Sequence, residues 1–330
     1  MSRSAQHEGR PASPPGRPKG EYRSAQHAGT PTCIRSTSSR RPRARAGVAL
    51  TVTLCALLAA CVTLTEAPRA LVSEPGRIAA VTLPCPAAAT AARTAAAAQN
   101  SDGAVDPATI RVVTWNIHKQ GDSGWAQDLE RFTLGNDIVL LQEVTLRDDV
   151  QQILEAARLR WIMASSFAYG DADIGVLTAT RAIPVANCTQ RVVEPLLRLP
   201  KSSIITWLKL PGTRTTLAVA NVHAINFSLS LETYEEQLAA IVDALDAHDG
   251  PIIVGGDLNT WTRARQDAVR AFAARLRLVE IPFAEDKRTL FLGTQVDHLL
   301  VRGLAVVSAE AIPVRSSDHN PVAAVLRLAP

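Results

Sequence analysis

The feature that most constrains the fold is a series of short β-rich runs that begins at residue 110. The runs are rich in Val, Ile and Leu and cover residues 110–115, 137–142, 174–178, 203–208, 216–221, 251–254, 296–301 and 322–326. Pro211-Gly212 separates two of them and is a turn signal, so this pair is predicted to form an antiparallel hairpin.

Helical patterns separate several of these runs. Apolar residues recur at helical spacing in 149–159 and 231–248, and a third stretch, 264–276, carries arginines on its predicted exposed side. Strands mixed with helices, with a hairpin among them, predict a mixed α/β sandwich rather than a doubly wound parallel sheet. We assign residues 109–330 to this domain.

The part of the chain before residue 109 has a different composition. Residues 1–45 are rich in Arg, Pro, Ser and Gly and predict a disordered basic tail. Residues 46–65 carry no charge and follow a cluster of arginines, which leaves three alternatives: a retained membrane helix, a cleaved export signal, or a lipid anchor on Cys61. Residues 66–108 are rich in Ala and Pro and predict a linker.

Charge and cysteine content narrow the function classes. Residues 1–50 hold 10 Lys and Arg against 2 Asp and Glu, so of the 35 and 31 in the chain, 25 and 29 remain in residues 51–330, a net charge of −4. A mildly acidic domain lacks the broad basic surface that non-specific binding of duplex DNA needs. Cys188 is the only cysteine after residue 108, so we expect no disulfide framework in the domain and interpret Cys188 as a small buried apolar residue.

Polar side chains stand where several of the β-rich runs end. The residues at these positions are Asn116, Glu143, His223, Asp257, Asn259, Asp297, Asp318 and His319. In α/β proteins, sites are commonly built at strand ends. Each residue alone has an ordinary structural explanation, and for the neighbouring His298 we favour that explanation.

Six motifs carry a resemblance to a known family. They are Trp115-Asn116-Ile117, Leu141-Gln142-Glu143, Asn221-Val222-His223, Gly256-Asp257-Leu258-Asn259, Val296-Asp297-His298 and Ser317-Asp318-His319-Asn320-Pro321. Their order resembles that of the endonuclease/exonuclease/phosphatase superfamily, which includes DNase I-like nucleases, inositol-phosphate phosphatases and neutral sphingomyelinases. Within it, the chain is similar to the bacterial YafD-like branch, and the resemblance covers residues 110–328.

The resemblance implies a four-layer α/β sandwich with two mixed, mostly antiparallel sheets and a site between them. It implies Glu143 as the main ligand of Mg²⁺ or Mn²⁺, with Asn116 and Asp318 close to the metal. It also implies His319, steered by Asp297, as the base that takes a proton from the attacking water. The remaining implied catalytic residues are His223 at the leaving oxygen, Asp257 in proton transfer and Asn259 as a donor to the phosphorane.

General chemistry agrees with these expectations. Magnesium prefers a few carboxylates together with water and phosphate oxygens, and an imidazole paired with a carboxylate can act as a base. We expect a second imidazole, that of His223, to remain protonated as an acid. Arg263 and Arg265 follow the Asp257 loop and either grip a substrate phosphate or lie on a solvated helix face. Lys119 and Lys201 have the same two interpretations.

The expected function is metal-dependent hydrolysis of a phosphodiester by a nuclease-like or phospholipase C-like enzyme. The substrate could be a nucleic acid, a phospholipid or a small phosphodiester. The alternative is a catalytically inactive member of the same fold that binds a phosphate or a lipid. The arginines before the apolar segment favour an exported or membrane-anchored catalytic domain, and a cytoplasmic domain is the alternative.

Overall fold

Two β-sheets lie face to face and carry the helices on their outer surfaces. The computed structural model describes residues 62–64, 69–81, 84–96, 103–228 and 230–329. The predicted basic tail, 1–45, and the apolar segment up to residue 61 lie outside the described residues. In the part of the chain that is described, no helix has the length and apolar character needed to span a membrane.

The described residues form seventeen strands and five α-helices. The strands are β1 (Val62–Thr63), β2 (Arg69–Glu74), β3 (Arg77–Val81), β4 (Ile110–Asn116), β5 (Ile138–Thr145), β6 (Arg160–Tyr169), β7 (Ala172–Thr180), β8 (Pro184–Val193), β9 (Pro200–Lys209), β10 (Thr216–His223), β11 (Ile252–Asp257), β12 (Val279–Glu280), β13 (Leu290–Phe291), β14 (Thr294–Gln295), β15 (Asp297–Arg302), β16 (Leu304–Ala311) and β17 (Val322–Leu328). The helices are α1 (Cys85–Ala96), α2 (Trp125–Gly135), α3 (Asp148–Ala156), α4 (Glu232–Leu245) and α5 (Arg263–Leu276).

The strands form two large sheets and one short hairpin. The first sheet has the order β16-β17-β4-β5-β7-β6-β2-β3, with β1 paired to β6, and the second has the order β12-β15-β11-β10-β9-β8. β13 and β14 pair only with each other. The pairs β4/β5 and β10/β11 are parallel and the other pairs are antiparallel. The predicted hairpin is confirmed, since β9 and β10 pair antiparallel on either side of Pro211-Gly212.

Three clusters of buried apolar residues define four layers. Ile110 and Leu140 of the first sheet pack against Leu217 and Ile253 of the second, which places one core between the sheets. Leu129 of α2 and Leu154 of α3 pack on the outer face of the first sheet. Ala88 of α1, Ile241 of α4 and Phe272 of α5 pack on the outer face of the second. Because each sheet buries both faces, the four-layer α/β sandwich expected from the motifs is confirmed.

The segment before residue 109 contributes more to the fold than its composition predicted. Composition predicted a linker for residues 66–108, but β2 pairs with β6 and α1 packs against β8. Alanine-rich composition does not distinguish a linker from a helix, because Ala is common in linkers and also has the highest helix propensity. The helix buries Ala88 and Ala92, the small residues that let it approach the sheet closely.

A disulfide joins this segment to the α/β domain. Cys85, the first residue of α1, is bonded to Cys188 in β8, with the two Cα atoms 5.0 Å apart. The expectation that the domain has no disulfide was therefore wrong. It failed because Cys85 was assigned to a linker, whereas α1 holds it against the second sheet.

Candidate active site

Three neighbouring strands of the second sheet place site residues in one row. His223 in β10, Asp257 in β11 and Asp297 in β15 are direct Cα partners across the sheet. Partners in register project their side chains to the same face. β10 and β11 are parallel to each other and antiparallel to β15, so the carboxyl ends of β10 and β11 lie beside the amino end of β15. We call the side of the molecule at these strand ends the catalytic edge.

Gly256 is what allows the strands to approach closely at this row. Its φ is +149°, and a Cβ at this position would lie 1.9 Å from the carbonyl oxygen of Val222 in β10. A side chain would therefore collide with the backbone of the neighbouring strand. The glycine before Asp257 has a packing requirement of its own, separate from any binding role.

The central pair of the site is His319 with Asp297. His319 precedes β17, and its Nδ1 lies 2.9 Å from Asp297 Oδ2. Trp115 Nε1 and Ser317 Oγ hold the His319 backbone by bonds to its carbonyl and amide. Burial alone would lower the pKa of His319, but the Asp297 carboxylate, together with Asp257 and Asp318, raises it to about 10. The expected steering of His319 by Asp297 is therefore present in the geometry.

Glu143 reaches the same pocket through a bulge in β5. The register of β5 with β7 shifts between Leu141 and Val144, and Glu143 has a φ of +54°. Gln142 bonds to Asn221 in the second sheet, and Glu143 lies 3.6 Å from His223 in that sheet. In a regular strand two consecutive side chains point to opposite faces, so only the bulge lets both turn toward the other sheet.

Two lysines surround the Glu143 carboxylate. Lys119 donates to Oε2, and Lys201 Nζ lies 3.8 Å from Oε1. Burial would raise the pKa of Glu143, but its neighbours His223, Lys201 and Lys119 favour the charged carboxylate and lower the pKa to about 2. Glu143 is therefore an anion at neutral pH, as a metal ligand must be. Sequence reasoning named both lysines only as alternatives, and only the structure shows that both lie at the site.

His223 is buried and differs from its expected protonation state. Its Nε2 accepts a hydrogen bond from Lys201 Nζ at 2.8 Å, because an ammonium group can only donate. Burial and the charge of Lys201 lower the pKa of His223 to about 4, although Glu143 and Asp257 oppose the shift. This lowered pKa does not fit the expectation that His223 stays protonated as an acid. Burial lowers the pKa of Lys201 as well, while Glu143 and Asp257 oppose that shift.

Asp257 lies at the centre of the site. Its Oδ2 accepts from Asn116 Nδ2 at 3.1 Å and lies 3.6 Å from His223 Nε2 and 4.0 Å from His319 Nε2. Its Oδ1 accepts from the backbone amide of Asn259 at 3.0 Å. The Asn259 side chain donates to the carbonyl of Ala224, so in this structure its amide braces the loop after β10.

The remaining predicted residues lie at the margin. The Asp318 side chain is 59% exposed and 3.7 Å from His118, a residue that sequence reasoning did not assign to the site. Arg263 is exposed at the start of α5, where its expected contact with substrate remains a prediction. His298, expected to be structural, is held by Glu280 and Thr260.

Neither interpretation of Arg265 was right. Its side chain is buried, and the guanidinium donates to the carbonyls of Ile225, Asn226 and Asn259. It also lies between the rings of Tyr234 and Trp261. Arg265 therefore clamps the loop that follows His223 to the loop that carries Asn259, and these backbone carbonyls already use its donors. The Arg265 side chain is not available to substrate or solvent, because it lies on the buried face of α5.

The donor set fits a hard divalent cation. Ligand atoms of Asp257, Asp297 and His319 lie within 4.8 Å of one another. His223 Nε2 lies 3.6 Å from both Glu143 Oε1 and Asp257 Oδ2, so Glu143 is close to this group. Asn116 donates a hydrogen bond to Asp257. A few carboxylates with an amide and room for water are what Mg²⁺ and Mn²⁺ prefer. Of the three expected ligands, Glu143 and Asn116 adjoin the cluster, and Asp318 extends toward solvent.

Comparison with known proteins agrees with this geometry. Residues 113–319 match the endonuclease/exonuclease/phosphatase family, a match that begins in β4 and ends at His319. It contains each of the eight residues singled out at strand ends.

Solved structures share the fold at low sequence identity. An endonuclease/exonuclease/phosphatase from Beutenbergia cavernae is 19% identical with a TM-score of 0.51, over 67% of this chain and 72% of that one. The human Nocturnin catalytic domain with bound sulfate is 17% identical with a TM-score of 0.52, over 68% and 96% of the two chains. ANGEL2, a 2',3'-cyclic phosphatase, is 12% identical with a TM-score of 0.51, over 66% and 95%.

Proposed function

Because this chain belongs to the endonuclease/exonuclease/phosphatase family, we propose that it hydrolyses a phosphodiester with the help of a bound Mg²⁺ or Mn²⁺ ion. The family and its structural neighbours indicate hydrolysis of phosphate esters. Restriction to diesters, the metal dependence and membership of the YafD-like branch are parts of the proposal. The observation that carries it is the His319–Asp297 pair, whose Nε2 faces Asp257 in the pocket that Glu143 reaches from the other sheet.

In the proposed reaction, His319 is the proton acceptor. Asp297 holds Nδ1, so Nε2 is the nitrogen available to a water in the pocket. Water adds to phosphorus, one P–O ester bond breaks, and the products are a phosphomonoester and an alcohol. When bound, a divalent cation supplies positive charge that offsets the charge on the phosphate and lowers the pKa of neighbouring imidazole and water.

Lys201 is placed to serve the leaving oxygen. Its ammonium group is buried against His223, which is neutral, and 3.8 Å from Glu143. Glu143 and Asn116 would hold the cation together with Asp257, and Asp318 would act from the solvent side. A preorganised positive group in a pocket that is largely closed to water stabilises developing negative charge strongly. We therefore assign to Lys201 the role expected of a protonated His223.

The test is hydrolysis of bis-p-nitrophenyl phosphate by the full chain, with Mg²⁺ or Mn²⁺ and then with EDTA. The wild type should turn over only with metal. His319→Ala should lose activity by roughly 10²–10⁴-fold, the usual value of general acid–base catalysis. A matched control is His248→Gln, because His248 bonds to the Pro251 carbonyl before β11, at the end of the strand opposite Asp257. Full activity in His319→Ala would refute its role.

Lack of metal-dependent turnover on any phosphate ester would favour the alternative, an inactive phosphate- or lipid-binding member of the fold. That alternative predicts binding of inorganic phosphate with no chemistry, which isothermal titration would detect. The full chain is the right reagent because β2 and α1 are built into the domain.

We also propose that the catalytic domain is exported or membrane-anchored. The Cys85–Cys188 disulfide supports this, because disulfides persist in oxidising compartments. The uncharged run 46–65 behind several arginines supports it as well. Protease accessibility of the domain in intact cells tests the proposal. Full protection from external protease, together with free thiols at both cysteines in isolated protein, would contradict it.

A further inference from the structure

Large apolar side chains are exposed around the catalytic edge. Six of them form what we call the apolar rim: Tyr169, Leu196, Leu197, Phe227, Phe291 and Leu292. Leu292 is 73% exposed and Leu197 is 54% exposed. Exposed aliphatic side chains are ordinary when scattered singly, but a group around a site indicates an interaction surface.

The rim surrounds the site because its loops continue from strand ends that carry site residues. Leu196 and Leu197 precede Lys201, Phe227 follows His223, and Phe291 and Leu292 precede Asp297.

Side-chain contacts join these loops to one another. Glu194 accepts from the amide of Phe227, and Trp261 donates to Asn226 and meets the ring of Phe291 edge-on at 6.2 Å. The loops that carry Phe227 and Phe291 are therefore held next to each other through Asn226 and Trp261.

The first described residues also lie at this edge. Val62 pairs with Tyr169, and Tyr169 pairs with Ala172 at the turn between β6 and β7. That turn lies at the same end of the first sheet as Glu143, because Thr145 of β5 pairs with Ile174 of β7. Residue 62 is thus at the catalytic edge, and it directly follows the uncharged residues 46–61. A segment with this composition is suited to a bilayer.

The chemistry of the rim favours lipid over nucleic acid. Tyr169, Phe227 and Phe291 carry rings on which a base could stack, but the two most exposed rim residues, Leu197 and Leu292, are aliphatic and offer none. Residues 51–330 carry a net charge of −4, which disfavours a polyanion. Aliphatic side chains at loop tips gain free energy when they leave water for the acyl region of a bilayer.

We propose that the catalytic edge docks on a phospholipid bilayer through the apolar rim and that the substrate is a phosphodiester presented there, the headgroup of a phospholipid. The substrate half of this inference rests on the proposed phosphodiesterase function. The docking half rests on the rim and on the position of Val62.

The experiment measures the hydrolysis of a soluble substrate and of a membrane substrate by the wild type, a rim variant and a control variant. The full chain, Phe291→Glu/Leu292→Glu and the control Leu134→Glu are assayed on soluble bis-p-nitrophenyl phosphate and on vesicles of phosphatidylcholine and phosphatidylglycerol. Leu134 is 68% exposed and lies at the end of α2, just before the end of β5 opposite Glu143. The rim variant should lose about tenfold or more on vesicles and nothing on the soluble ester. The control should match the wild type on both.

Docking is read independently of catalysis by an environment-sensitive fluorophore at Leu292→Cys, with Leu134→Cys as control and Cys33, Cys55 and Cys61 replaced by Ser. A blue shift on adding vesicles at position 292 alone supports docking, and equal responses at both positions overturn it.

The activity outcomes separate the two proposals. Equal vesicle hydrolysis by the rim variant and the control overturns the inference. Hydrolysis of soluble ester or DNA with no hydrolysis of vesicles also overturns it and leaves the proposed function standing. If the wild type hydrolyses no ester, the proposed function fails and the substrate half fails with it, while the fluorophore still decides docking.

Discussion

Replacing Asp297 with Asn tests the electrostatic reasoning about the site most directly. Asp297 contacts His319 Nδ1 at 2.9 Å, and both side chains are largely buried, so the charge acts through little solvent. The Asn side chain keeps the shape and removes the charge. With the carboxylate gone, burial, which lowers the pKa, becomes the larger influence, and the pKa of His319 should fall well below about 10.

The size of the effect follows from linkage between protonation and folding. The pKa of His319 rises from 6.5 to about 10 on folding, which corresponds to roughly 5 kcal/mol of stability. Because the folded pKa is raised, this stability is fully present below pH 6.5 and is lost as the pH rises toward 10. Between pH 6.5 and pH 10 the free energy of unfolding of the metal-free wild type should therefore fall. That of Asp297→Asn should change little, because the variant lacks the charge that raises the pKa of His319.

The assay is urea unfolding of the EDTA-treated protein between pH 6 and pH 10, with NMR titration of the His319 imidazole. Asp318→Asn is the control, because Asp318 is more than half exposed and contributes least among the three carboxylates that raise the pKa of His319. Parallel loss of stability in the wild type and Asp297→Asn, or an unchanged His319 pKa in the variant, would refute the reasoning.

Three further predictions concern metal binding, the disulfide and the core. Glu143→Gln removes a proposed ligand that is anionic at neutral pH, so Mn²⁺ affinity measured by calorimetry should fall about tenfold or more, while the exposed Glu232→Gln should bind normally. Replacing Cys85 and Cys188 with Ala opens a loop of 103 residues and should lower the free energy of unfolding by about 4–5 kcal/mol; a urea midpoint that is unchanged by reductant in the wild type would contradict this. Asn221→Leu leaves the Gln142 amide and the Leu177 carbonyl without their partner between the sheets and should cost about 1–3 kcal/mol, and urea unfolding that gave wild-type stability would show that water replaces the bonds.

The sequence alone determined the layer architecture and named most of the residues that the structure brings together at the candidate site. The β-rich runs and helical stretches correspond to β4, β5, β7, β9, β10, β11, β15, β17, α3, α4 and α5. These elements were predictable because their apolar residues alternate with clear turn or polar signals. Strands β6, β8 and β16 were missed because their sequences mix polar and apolar residues without a strict period, and pairing with neighbouring strands stabilises them.

Only the tertiary structure decided which side chains of the candidate site contact one another and how they are charged. The bulge that turns Glu143 inward depends on how β5 pairs with β7, which local sequence does not encode. The lowered pKa of His223 depends on burial and on Lys201, a residue 22 positions away in the chain, and the Cys85–Cys188 bond spans 103 positions. Residue identity fixes what a side chain can do, but protonation and contact depend on burial and on neighbours that meet only when the sheets face each other.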